Sequence, residues 1–230
     1  MDLFLTLLIV LLVAVLAYFL VSSMAVTPNV LADYVSLLEE ATPVPIENIA
    51  NPQSVNYTYS FWIYVSSWSN TETKPIITYA DTDASKTYFK LYLDPTDTNV
   101  YCDILTQTGP QTVLITSTLP LQKWVQVLVS VENRNVDCYI NGKMSNATVL
   151  TSLQVLPSQT ATITIGGGQL LDAKLRKVSL IPETSNPSGV WQNYVANSLN
   201  MSLQASDDIQ KLKLGLLLNN EVQSESTLTI

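Results

Sequence analysis

Four aspartates stand in two close pairs, Asp81 with Asp83 and Asp94 with Asp97. Paired carboxyls about 5–5.5 Å apart are what retaining glycoside hydrolysis requires, and alternate residues on one strand face would meet that spacing. Both pairs, however, sit in turn-like stretches, DTDAS and DPTDT, where Asp ordinarily hydrogen-bonds its own backbone. Asp103 and Asp137 fall singly within strand-like runs and read as solvent-facing residues. Carboxylate oxygens also suit a hard cation, so Asp81, Asp83, Asp94 and Asp97 are calcium candidates, although no EF-hand-like spacing marks a loop. Trp68, Tyr88 and Tyr92 could stack on sugar rings or simply fill a sheet face. The chain contains no histidine, which removes Ser-His-Asp and Cys-His nucleophiles and His-ligated zinc or iron. No catalytic residue is expected, and no cofactor apart from calcium.

Cys102 and Cys138 are the two cysteines, each among apolar neighbours. Buried free thiols are the default reading, and a disulfide requires their strands to pair face to face. Asn56, Asn146 and Asn200 head N-glycosylation sequons, usable if the domain faces a lumen or the cell exterior. Gly166-Gly167-Gly168 lacks a following Lys-Ser/Thr and reads as a turn rather than a phosphate loop.

The elements that would position these groups show a period of two. In NYTYSFWIYV, Tyr57, Tyr59, Phe61, Ile63 and Val65 share one face, with Thr58, Ser60, Trp62 and Tyr64 on the other. Further strands are expected at Ile76–Ala80, Thr87–Leu93, Val100–Leu105, Thr112–Thr116, Trp124–Val131, Val136–Ile140, Ala161–Ile165 and Leu170–Ile181. Val125, Val127, Val129 and Val131 form a β-branched stripe that should face a core. Asn141-Gly142 is a hairpin signal, since both residues tolerate positive φ. Many short strands separated by turn signals predict an all-β sandwich. Residues 189–198 predict a short helix whose Val190, Trp191, Tyr194 and Val195 cover a sheet edge.

The 230 residues are 47% hydrophobic and 13% charged, and the apolar excess is concentrated at the amino end. Leu3 to Val21 is a run of nineteen uncharged residues that includes Phe4, Leu8, Leu12, Leu16 and Phe19. A helix of that length measures roughly 28 Å, close to a bilayer's hydrocarbon thickness. Its Leu, Ile, Val and Phe residues together favour insertion by about 5–9 kcal/mol. A single transmembrane helix is expected in residues 1–25. The competing cleaved signal lacks a basic n-region, although Ser23-Met24-Ala25 resembles a cleavage site. No Lys or Arg precedes Lys74, so charge leaves the topology open. Residues 26–52 are expected as a stalk with a short helix from Asn29 to Glu40, residues 53–197 as the sandwich, and residues 198–230 as an interaction tail. The tail's IQKLKLGLLLNN fits a helix or an alternating strand. With 11 basic against 19 acidic residues the net charge is −8, which argues against nucleic acid as a partner.

The stretch LPLQKWVQVLVSVENRNVDCYINGK, Leu119 to Lys143, resembles the central part of concanavalin A-like, laminin-G-like jelly rolls. A Lys-Trp pair at Trp124 opens a hydrophobic strand, and a YxNG hairpin at Asn141-Gly142 follows a short polar turn. YSFWIYV before it and IGGGQLLDAKLRKVSLIP after it match the beginning and end of such a domain over roughly residues 53–197. The resemblance implies a jelly roll that binds calcium or glycans. The Glu-x-Asp-x-x-Glu triplet of glucanases with this fold does not occur, which argues against hydrolysis. The union of an apolar anchor, a Thr/Ser/Asn-rich composition and a sandwich also resembles membrane-anchored minor capsid proteins of large double-stranded DNA viruses. That likeness implies a non-enzymatic virion protein tethering an internal membrane to the shell, with the lipid bilayer and structural proteins of the assembly as partners. A membrane-anchored lectin-like module is the alternative, and a glycan-processing enzyme is a third.

Overall fold

A computed structural model describes residues 7, 10–16, 28–39, 42–68, 72–167 and 171–201. Two antiparallel six-stranded sheets face each other across one apolar core. The strands are β1 (Asn29–Ser36), β2 (Thr42–Pro45), β3 (Asn56–Trp68), β4 (Lys74–Asp81), β5 (Thr87–Leu93) and β6 (Val100–Thr106), followed by β7 (Gly109–Thr116), β8 (Val125–Glu132), β9 (Asn135–Ile140), β10 (Lys143–Val149), β11 (Ala161–Ile165) and β12 (Leu171–Ile181). One sheet runs β1-β12-β3-β8-β9-β10 and the other β2-β11-β4-β5-β6-β7. β4 to β7 and β8 to β10 are consecutive neighbours within one sheet, whereas the connections from β1 to β4, from β7 to β8 and from β10 to β12 cross between the sheets, as in a jelly roll.

The two-residue alternation explains which side chains fill the interior. Phe61, Ile63 and Val65 of β3 pack with Val125, Val127, Val129 and Val131 of β8, all buried. Leu91 and Leu93 of β5 and Cys102 and Ile104 of β6 close the core from the opposite sheet. At roughly 25 cal/mol per Å² of apolar area removed from water, this interior is the main source of stability.

The helix expected over Asn29 to Glu40 is overturned. Asn29–Ser36 is an edge strand paired antiparallel with β12, from Asn29 opposite Leu180 to Ser36 opposite Lys174. The apolar spacing of NVLADYVS fits either period, and pairing with a partner strand decides between them. Residues 42–45 add β2 to the edge of the second sheet, where two prolines cost no ladder bond that an edge strand needs. The segment expected as a stalk thus supplies strands to both sheets. β10 was not among the expected strands, because KMSNATV shows no apolar alternation; it is an edge strand with both faces largely exposed. β7 begins at Gly109, before the expected Thr112, since an edge position accommodates Pro110.

A helix spans residues 187–201, longer than the expected 189–198. Asn186 caps it, its Oδ1 accepting from Gly189 N at 2.8 Å, with Pro187 in the first turn. The helix lies on the outer face of the first sheet rather than over its edge. Tyr194 stacks on Trp62 at 5.7 Å, and Val190 packs with Leu128 and Tyr139. Asn193 Oδ1 accepts from Gln126 Nε2 at 2.9 Å.

At the amino end, residues 10–16 are helical with exposed side chains, Leu12 and Leu16 among them. Among the described residues no helix is long and apolar enough to cross a membrane. The anchor positions Leu3, Phe4, Leu8, Phe19 and Val21 lie outside the described residues, as does the tail beyond residue 201.

Candidate functional site

Tyrosines replace aliphatic residues where the strands reach one end of the sandwich. Tyr57 and Tyr59 open β3, Tyr79 lies near the end of β4, and Tyr88 and Phe89 open β5. Antiparallel pairing brings these strand ends together, with Tyr79 opposite Phe89. Tyr59 and Phe89 stack at 4.4 Å, Tyr57 meets Tyr59 edge-on at 5.7 Å, and Tyr79 meets Tyr88 at 6.0 Å. Between them runs a narrow slot with a cavity of about 30 Å³, room for a water or a single ligand hydroxyl.

The mouth is formed by two loops fastened to each other. Gln53 Nε2 donates to Pro157 O at 2.8 Å, and Gln154 Nε2 donates to Val55 O at 3.1 Å and Asn133 O at 2.7 Å. Pro52, Leu156, Pro157 and Pro182 complete the rim. Inside, the Tyr79 hydroxyl is buried and has no hydrogen-bond partner among the described residues, a costly arrangement unless a ligand or water supplies one. Burial, reinforced by Tyr88, holds the Tyr79 phenol well above its ordinary pKa, so it meets a ligand as a neutral hydroxyl. Burial raises Tyr57 and Tyr59 in the same sense. The slot therefore offers ring faces and a neutral hydroxyl, with no charge.

The acidic candidates separate. Asp81 and Asp83 occupy the β4–β5 turn at the slot's end, whereas Asp94 and Asp97 occupy the β5–β6 turn at the other, about 20 Å away along β5. Asp81 accepts from Ser158 Oγ, from Tyr88 OH at 2.9 Å and from Ser85 Oγ at 3.2 Å; the Ser158 bond does most to lower its pKa. Asp83 Oδ1 accepts from Ser85 N at 3.0 Å, which lowers its pKa. Asp94 Oδ1 accepts from Thr96 N at 2.9 Å and from Asp97 N at 3.2 Å, and the Thr96 backbone bond chiefly lowers it. Asp97 is exposed. These are turn-forming carboxylates. Among the described residues no three His, Cys, Asp or Glu side chains gather as a metal site.

Tyr88 is buried in the slot wall, while Tyr92 lies half-buried beside Tyr101 with its hydroxyl donating to Asp103 at 3.3 Å. Burial and Asp103 push the Tyr92 phenol up to about 12. The Trp68 side chain lies outside what the structure describes. Trp124 sits on the outer face of the first sheet, near Tyr64, with the Arg176 guanidinium 5.5 Å over its ring. Asn141 and Gly142 form the β9–β10 turn with φ of 51° and 75°. Asn141 Oδ1 accepts from Gln126 N at 2.9 Å. Asn56 Oδ1 accepts from Asn133 N at 3.0 Å, and Asn146 Nδ2 donates to Leu114 O at 2.7 Å, so both amides already hold the fold together. Asn200 is exposed on the helix. Cys102 and Cys138 face the interior from opposite sheets as free thiols; burial raises both, Cys138 to about 12.

Sequence reasoning missed the slot apart from Tyr88. The available signal was polar-tipped rings on inward-facing positions, Tyr57 and Tyr59, ahead of Phe61 and Ile63. It also missed Lys74, which is fully buried with Nζ donating to the carbonyls of Glu72, Asp94 and Pro95 at 2.8–3.2 Å.

A two-sheet antiparallel jelly roll with an uncharged aromatic slot is the architecture of a binding-type domain. A laminin-G family model, described as the concanavalin A-like lectin/glucanases superfamily, matches residues 38–193, and the chain belongs to that superfamily. No curated protein sequence matches the chain. Among solved structures it is similar to the botulinum neurotoxin serotype D ligand-binding domain in complex with N-acetylneuraminic acid, at 16% identity and a TM-score of 0.58. That match covers 75% of this chain and 44% of that one. The serotype C/D mosaic receptor-binding domain, with a tetraethylene glycol on its Hcn sub-domain, matches at 17% identity and a TM-score of 0.57, covering 75% and 45%. The serotype G binding domain matches at 14% and 0.52, covering 76% and 47%. The chain thus spans less than half the length of each, and the likeness is one of fold.

Proposed function

We propose that the chain is a non-catalytic, membrane-anchored binding module whose jelly roll takes a sugar at the mouth of the tyrosine-lined slot, with one sugar hydroxyl reaching in toward Tyr79. The observation that carries this reading is the buried, unpartnered Tyr79 hydroxyl within a wall of aromatic rings. Sugars present C–H faces that pack on aromatic rings and hydroxyls that would satisfy Tyr79. Superfamily membership and the sialic acid named for one structural neighbour support glycans as the ligand class. The apolar run Leu3–Val21 supports anchoring. The test is a glycan array probed with the detergent-solubilised full chain. Saturable binding that Tyr79→Phe weakens, with no loss of stability, is expected; binding to no glycan overturns the assignment.

A second reading, in which the chain tethers an internal virion membrane to a shell, draws on the helix at 187–201. That helix carries no charged residue, and Trp191 and Val195, one turn apart, are 45% and 49% exposed. Such a face suits a protein partner. Cross-linking mass spectrometry on the native source separates the readings: links from this helix to a shell protein favour the tether, and their absence rejects it.

A further inference from the structure

The chain enters the sandwich at the slot's own end. Asn29 opens β1 opposite Leu180, and its Nδ2 donates to Ala50 O and Leu180 O, both at 3.1 Å. Leu180 and Asn51 line the slot. Between Val21, where the apolar run ends, and Asn29 lie seven residues, which reach no further than about 25 Å even fully extended. β3 alone, with thirteen residues, measures roughly 43 Å. Any bilayer holding residues 3–21 is therefore close to the slot end and remote from the Asn141-Gly142 end.

The surface at that end fits such a neighbour. Val149, Leu153 and Leu156 are 58%, 51% and 46% exposed, and Val55 stands beside them. Val55, Leu153 and Leu156 line a second hollow of about 210 Å³ that shares Gln154 and Leu156 with the slot. Apolar lips backed by tyrosines have the composition of a membrane interface. Around them Asp81, Asp83, Glu132 and Glu183 outnumber Lys86 and Arg134, a balance that anionic lipid would repel and zwitterionic lipid would accept.

We propose that the slot end of the sandwich rests on the bilayer, with Val55, Val149, Leu153 and Leu156 among zwitterionic headgroups, so that ligands reach the slot from the membrane surface. The inference rests on the anchoring part of the proposed function.

The test places a bimane on Leu156→Cys in the full chain reconstituted into phosphatidylcholine vesicles with brominated acyl chains, against Asp97→Cys at the opposite end. Cys102 and Cys138 are buried and stay unlabelled while the fold is intact, so one dye per chain certifies each sample. Leu153→Cys is a second probe on the same lip. Loss of emission at 156 and 153 but not at 97 is expected, and added phosphatidylglycerol should restore emission at the lip. Protein that floats with the vesicles yet emits equally at all three sites overturns this inference alone. Failure to float overturns the anchoring reading and this inference with it. Lip quenching that strengthens with anionic lipid overturns the zwitterionic assignment.

Discussion

Lys74 and Tyr79, buried at opposite ends of β4, are treated in opposite ways. At the far end Lys74 is buried, but its ammonium has three carbonyl acceptors, from Glu72, Asp94 and Pro95. Asn141 is held by Gln126 through both side chain and backbone, and the helix at 187–201 closes over Gly142. At the slot end Tyr79 is equally enclosed, yet its hydroxyl has no partner among the described residues, and the rings around it leave a space. A satisfied polar group consolidates a fold, whereas an unsatisfied one beside a cavity marks a place for something else to bind.

The largest effect is expected from Lys74→Ala, which empties a buried site and leaves three part-buried carbonyls without their donor, and should cost about 3 kcal/mol in urea unfolding. A loss below about 1 kcal/mol would mean the carbonyls find water, and the far end would be as open as the slot. Gly142→Ala comes next. Its φ of +75° suits glycine, and an added Cβ would stand 2.7 Å from Tyr194 Cβ. A loss of about 2 kcal/mol is expected, together with a weaker near-ultraviolet signal from the Trp62–Tyr194 stack; unchanged unfolding would show that the helix shifts without penalty.

Asp81 sharpens the contrast through pH. Hydrogen bonds, that from Ser158 foremost, hold its folded pKa below the ordinary 3.8. Its contribution is therefore complete above the unfolded value and disappears as pH falls through the folded one. Asp81→Asn should lower Tm at neutral pH, and the gap to the parent should close below pH 3.8. A gap that persists in acid would mean that packing, not ionisation, is responsible. The smallest effect is expected at Tyr79→Phe, which removes a hydroxyl that no group among the described residues uses. Stability should change by less than about 1 kcal/mol, with a stabilising sign; a clear loss would reveal a water or protein partner.

Much of the interior was legible from local pattern. β5 and β11 fall at Thr87–Leu93 and Ala161–Ile165 as the alternation implies, and the β8 valines face inward. The Asn141-Gly142 turn follows from the tolerance of both residues for positive φ. The edge strands were not legible. β10 carries no alternation because neither face is fully covered, and β1 reads equally well as a helix until β12 is there to pair with it.

The sequence by itself determined a period-two chain that folds as a sandwich, because alternation needs only neighbouring residues to place one face in a core. It also determined an apolar amino end long enough for a bilayer. Tertiary structure alone decided which strands form the edges, where Lys74 finds its acceptors, and that Tyr57, Tyr59, Tyr79 and Tyr88 converge on one slot. Those outcomes depend on which strands become neighbours, and pairing across tens of residues leaves no periodic trace in any short segment.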